Sequence, residues 1–286
     1  MRPIATEHKN WLRPARFAWA LLPVFFVAIL GLWLNKVETP GEARSLFIAF
    51  DLILGAVPWL GVAFLFLRSF LITGGPGVLS FGCGALLWSA SGLAPLGPYL
   101  APGADAPNIN VTIHNLLIWA ASLNCLAGTA LVHRGWPAIK KRCLTLFAAC
   151  GLALAGAAFI AFATLQVWTP VFFVQGQSAT LERQLVLGST IFAILLTLSL
   201  LRKGITLRSL FLDWFSLALM LLAIGCAGLM LQTAAGSVLG WVNRAAQYCG
   251  GGYMLIAAYV AFRDTKPAFV VLAPSRDRAP QVAAKR

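Results

Sequence analysis

Residues 143–165 read C-L-T-L-F-A-A-C-G-L-A-L-A-G-A-A-F-I-A-F-A-T-L. No charged residue interrupts the run. At a helical rise of about 1.5 Å per residue it is longer than the ~30 Å hydrocarbon layer of a bilayer. Its apolar residues are continuous rather than alternating. A strand of a membrane barrel would alternate, so the stretch predicts a helix. Seven more stretches of this kind follow the same logic, at about 16–35, 45–70, 71–93, 111–132, 184–201, 209–232 and 246–262. The expected fold is all-α, a polytopic membrane protein with eight transmembrane helices.

Composition agrees. Hydrophobic residues make up 59% of the chain and charged residues 11%, where a soluble domain carries about a quarter charged. The net charge of +13 would suit nucleic acid, but its placement argues otherwise. With the N-terminus in the cytoplasm, every Lys and Arg except Lys36, Arg44, Arg183 and Arg244 falls on the cytoplasmic side. That is the bias of the positive-inside rule, and an even helix count puts both termini in the cytoplasm. The basic residues then set orientation and meet anionic membrane lipids, and no nucleic-acid partner is expected. Residues 1–15 form a basic cytoplasmic N-terminus, 16–263 the membrane domain, and 264–286 a basic tail expected to be disordered. The stretch from Phe17 to Asn35 is longer than a signal-peptide core and reads as a retained anchor.

Several function classes have no support. The six cysteines form no C-x-x-C pair and suit apolar packing, so neither a disulfide framework nor a metal site is expected. No nucleophile elbow, phosphate loop or zinc spacing is present, so no catalytic residue, enzymatic activity or cofactor is expected. His114 raises the question of a haem. A bis-histidine haem needs two ligands at one depth, and His8 and His133, the other two histidines, lie far from His114 along the chain.

Small residues such as Gly82, Gly84, Gly225 and Gly228 should let helices approach closely. Pro23 and Pro58 should kink the first two helices. Polar groups within a span are costly and mark function by default. Asp51 is the most conspicuous, because its stem is too short to reach water easily. Either it is protonated or it pairs with a group on another helix at similar depth, with His114, Arg183 and Arg244 as candidates. The loops at 94–110, 166–183 and 233–245 read as ordered caps on the outer surface. Asp51, His114, Asn115, Trp168, Gln175, Gln177, Arg183, Trp241, Asn243, Arg244 and Gln247 all map to the outer half. An outward-facing pocket with aromatic walls and amide donors is the expectation.

Four segments carry a family resemblance. They are Phe81-Gly82-Cys83-Gly84-Ala85-Leu86-Leu87, Val111-Thr112-Ile113-His114-Asn115, the run from Trp168 through Gln177 to Arg183-Gln184, and Gly240 to Tyr248. In these the chain resembles the membrane-associated sensor domains of bacterial signalling proteins, nearest the third type. The resemblance implies an input module in the bacterial inner membrane. Such modules pass helix movement to attached PAS, histidine-kinase or cyclic-di-GMP-synthesising (diguanylate cyclase) domains. A separate signalling partner, or a homodimer, is a further implied arrangement. The expected role is therefore signal transduction without catalysis. The competing class is a small-molecule transporter, which would need a polar route across the whole span.

Overall fold

The computed structural model describes residues 16–37, 44–100, 105–174, 180–204, 210–234 and 236–263. Within them the chain forms ten α-helices: α1 (Arg16–Leu34), α2 (Arg44–Phe50), α3 (Val57–Thr73), α4 (Pro76–Ser91), α5 (Gly97–Leu100), α6 (Ala106–His133), α7 (Arg142–Leu165), α8 (Leu181–Gly204), α9 (Leu210–Leu231) and α10 (Val238–Arg263). No strand occurs among the described residues. Seven helical stretches are long and apolar enough to cross a membrane: Phe17–Leu34, Ser45–Thr73, Pro76–Leu100, Ala106–His133, Arg142–Leu165, Leu181–Arg202 and Leu210–Leu231. The molecule is an all-α, multi-pass membrane protein. α10 is long enough at 26 residues. Its polar first half and the glycines at 250–252 dilute its apolarity, so it stands outside that set.

Helices α3, α4, α6, α8, α9 and α10 pack in that order, each on the next, and α10 returns to α3. They close a ring. α1 lies outside it against α9 and α10, and α7 lies outside it against α4 and α6. Both outer helices present large apolar side chains outward, among them Phe26, Trp33, Phe147 and Phe159. That is the surface lipid requires.

The interior of the ring differs between its ends. Near the N-termini of α4 and α9, phenylalanines meet across it. Phe66 and Phe81 lie 5.7 Å apart between ring centroids, and Phe81 and Phe215 lie 5.6 Å apart. All three are almost wholly buried. At that same end Arg142 donates to the carbonyls of Leu71 and Ile72 at the C-terminus of α3. A cation there satisfies acceptors that the helix itself leaves open.

The opposite end is polar, and a local backbone adjustment creates it. Pro58 has no N–H to donate, and its ring crowds the carbonyl four residues earlier. The turn just before it, Asp51–Ala56, is a π-helix, with Val57 N–H donating to the Leu52 carbonyl. The kink expected at Pro58 is thus expressed as a widened turn that joins α2 to α3. The end of α4 clamps that turn. Ser89 Oγ donates to the Ala56 carbonyl at 2.9 Å. Gly92 lies so close that a Cβ on it would sit 2.8 Å from Ala56 N and 2.9 Å from the Asp51 carbonyl.

Two caps expected on the surface contribute helix instead. α6 starts at Ala106 because Asp105 accepts from Asn108 N–H, with Pro107 in the first turn. α10 starts at Val238 because Ser237 Oγ accepts from Gly240 N–H. Much of 233–245 is therefore the polar opening of a span.

Gly92→Ala should lower the thermal unfolding midpoint in detergent, at a cost of about 1–3 kcal/mol, since backbone rather than a flexible side chain blocks the methyl. Gly151→Ala, in open space on α7, should leave it unchanged or raise it slightly.

Candidate functional site

The widened turn aims Asp51 into the ring, where its side chain is 1% exposed. Arg244 on α10 answers it. Arg244 Nη1 donates to Asp51 Oδ1 at 3.3 Å and lies 3.3 Å from Oδ2. Tyr248, one turn further along α10, donates to Oδ1 at 2.5 Å. Gly55 packs beside this contact: a Cβ there would meet the Tyr248 ring at 3.4 Å, an ordinary van der Waals distance. The Arg244 guanidinium also lies over the Phe47 ring, 5.3 Å from its centroid.

The same Nη1 lies 3.2 Å from His114 Nδ1. An arginine can only donate, so Nδ1 accepts and the ring proton belongs on Nε2. The Ser91 carbonyl at 3.3 Å is then a close approach rather than a hydrogen bond. The tautomer is assigned from the contact. Through these contacts α2, α4, α6 and α10 meet at one point.

Arg183 enters from the first turn of α8 and is fully buried. Its Nη1 donates to the Gln232 carbonyl at 3.2 Å. Its guanidinium carbon lies 5.4 Å from the Phe173 ring centroid. Phe173 is held by Asn108, whose Oδ1 accepts from the N–H groups of Phe172 and Phe173 at 2.9 and 3.0 Å. Thr180 closes the arrangement, donating to the Phe172 carbonyl and accepting from Arg183 N–H.

Between these groups lies a cavity of about 430 Å³. Phe47, Ile48, Pro95, Pro98, Val111 and Leu229 supply apolar wall. Asn110, His114, Asn115, Arg183, Gln232 and Arg244 supply polar groups. Such size and mixture suit an organic molecule held by a few oriented polar contacts. Asn110 Oδ1, His114 Nε2, Asn115 Nδ2 and Arg183 Nε and Nη2 are buried and lack a hydrogen-bond partner among the described residues. Each such group costs about 1–3 kcal/mol when left so.

The expected site residues divide. His114, Asn115, Arg183 and Arg244 line the cavity, and Asp51 stands behind Arg244. Asn243 and Gln247 are buried against α9 and are not part of the lining, although Gln247 lies beside His114, which is. A Cβ on Gly228 would overlap the Asn243 amide, and one on Gly225 would sit 2.8 Å from Gln247 Cγ. These α9 glycines make room for amides as well as for backbone. Trp241 is no pocket wall; it packs edge-on against Phe47 and Phe50 and ties α10 to α2. Trp168 is 66% exposed, packs edge-on against Phe162 and takes no part in the lining. It sits just past the end of α7, the peripheral helix, so it cannot face the ring interior. Gln175 and Gln177 lie outside the described residues.

Sequence reasoning gave no site role to Tyr248 or Phe47. Tyr248 carried a usable signal, because it follows Arg244 by one helical turn and so shares its face. Phe47 carried none beyond apolarity. No family model, curated protein or solved structure matches the chain.

Asp51→Asn and Arg244→Met should each destabilise the protein by about 3–5 kcal/mol, since either strands a buried charge. The double variant should cost clearly less than the two together. Unfolding titrations of the four proteins in mixed micelles measure this coupling.

Proposed function

We propose that the chain is a sensory input module in the bacterial inner membrane. It receives a molecule from the non-cytoplasmic side and relays its presence through α10. The side follows from charge. Arg68, Arg134, Arg142, Arg202 and Arg263 lie towards the end opposite the cavity, and the positive-inside rule assigns that end to the cytoplasm. Counting α10 as the eighth span, both termini are cytoplasmic.

One observation carries the reading: the cavity and the Asp51–Arg244 pair lie at one end, while phenylalanines fill the ring at the other. A permease needs a polar route through the full depth and broken helices at mid-depth. Phe66, Phe81 and Phe215 stand where that route would run. A sensor needs only a pocket and an element whose position depends on it. α10 supplies the element: Arg244 borders the cavity, and nineteen residues later Arg263 closes the helix at the far end. Occupation of the cavity by a molecule that prefers one placement of Arg244 shifts α10, and no other coupling is required. A PAS, kinase or diguanylate-cyclase domain, or a separate protein, reads that shift, as the resemblance to membrane-associated sensor domains implies. The module performs no catalysis of its own.

In a cysteine-free background, spin labels at Arg202→Cys and Arg263→Cys should report a changed separation when Asp51→Asn is added, on the order of 1–2 Å or more. An unchanged distance distribution would overturn the relay. In the same background Phe81→Cys should resist a membrane-impermeant maleimide from both faces. Labelling from either face favours the permease.

A further inference from the structure

The two arginines at the cavity are not equivalent. Arg244 has its carboxylate in Asp51. Arg183 has none among the described residues. Two other carboxylates are near the mouth in sequence, but Asp105 turns back to cap α6 and Glu182 is exposed on the first turn of α8. Within the buried cluster the cations outnumber the anions.

What Arg183 leaves unpaired has a definite shape, and it is buried against the cavity lining rather than open to it. Nη1 is committed to the Gln232 carbonyl, and the guanidinium lies against Phe173. Nε and Nη2 have no partner among the described residues. Those two nitrogens form one edge of the guanidinium, with parallel N–H bonds. That edge fits a carboxylate or phosphate through two hydrogen bonds at once. Asn115 Nδ2 on the same lining is a further donor without a partner among the described residues, while Asn110 Oδ1 is an unpaired acceptor there and His114 has Gln247 beside it. The apolar wall of Phe47, Ile48, Pro95, Pro98 and Val111 would gain nothing from a bare inorganic ion. It would gain from a short hydrocarbon chain or ring.

We infer that the cavity binds an organic anion with an apolar body, its carboxylate or phosphate drawn by the surplus positive charge of Arg183 and Arg244 on the cavity lining. The inference rests on the receptor reading above and names its ligand class. One chemistry has two sources: a soluble amphipathic acid arriving from outside, or the headgroup of an anionic lipid entering from the outer leaflet.

The test uses the full chain in nanodiscs of phosphatidylcholine, with octanoate as probe and octanol as its uncharged counterpart. Octanoate should raise the thermal unfolding midpoint at concentrations where octanol does not. Arg183→Gln should abolish the octanoate shift, whereas Arg183→Lys should retain a weaker one, because an ammonium keeps the charge and loses the paired edge. Should Arg183→Gln fail to fold, the octanoate–octanol comparison on the unaltered protein still decides. Equal shifts from both probes, no shift from either, or an unchanged octanoate shift in Arg183→Gln would overturn the anion site. Nanodiscs doped with phosphatidylglycerol separate the sources. If they raise the midpoint alone and blunt the octanoate shift, the occupant is a lipid headgroup; if octanoate still acts fully, it is a soluble acid. Octanoate binding without any change in the Arg202–Arg263 label distance would sink the relay and leave the anion site standing. A distance change on Asp51→Asn with no octanoate binding would do the reverse.

Discussion

Asp51 and Arg244 face each other inside a helical ring that is wrapped in hydrocarbon, and most of the pocket end is arranged around that pair. Neither side chain can stay charged there alone. The desolvation cost of each ion is several kcal/mol, and it is offset only when the partner sits at contact distance with further hydrogen bonds around it. Tyr248 and His114 supply those bonds. The glycine at 92 serves the same end: it lets α4 touch the widened turn that carries Asp51. Pro58 removes the backbone donor whose presence would favour a regular turn. A π-turn is a recurrent device for re-aiming a side chain at a working site, and here it sets the direction of the one buried carboxylate in the cluster.

The ring therefore has two physical regimes along its axis. At one end, aromatic packing excludes water and needs no directional partner. At the other, the interior is held by oriented, charged contacts that bridge α2, α4, α6 and α10. Dispersion packing is non-directional, weak per atom pair and lost over a fraction of an ångström. A charge pair in a low-dielectric site is stronger per contact and falls off only slowly with separation. A ligand that perturbs the polar end thus acts on the strongest single interaction in the cluster.

The membrane class, the positions of most spans and the clustering of polar residues at one end were all legible in the sequence. Long apolar runs report burial in lipid directly, and a carboxylate inside such a run demands a partner. The start of α10 was not legible. Its first turns hold Asn243 and Arg244, which read as loop residues until Gly228 on α9 is seen making room for the first and Asp51 receiving the second. Trp168 misled for a related reason. An indole beside a loop of amides looks like a pocket wall, but the sequence does not say which side of the ring α7 occupies. Periodicity locates helices; it does not place one outside its neighbours. The unpaired edge of Arg183 is likewise a matter of side-chain direction, invisible until the partners of each nitrogen are known.

The presence of two arginines in this cluster is itself an argument about purpose. Folding accounts for one. Asp51 needs a cation, Arg244 provides it, and the pair closes the contact between α2 and α10. Folding gives no comparable reason for Arg183. A buried guanidinium whose Nε and Nη2 have no partner among the described residues is less stable than an apolar side chain of similar volume at that position. Its aliphatic stem could pack on α9 equally well as methionine. The Gln232 carbonyl that it contacts ends a helix beside a turn and could be satisfied by water. The adjoining cavity is bordered by other polar groups without partners among the described residues and by walls that favour hydrocarbon. The contacts of Arg183 with the Gln232 carbonyl and the Phe173 ring account for its place in the fold; a site completed by an amphipathic anion accounts for the surplus charge and the mixed lining beside it.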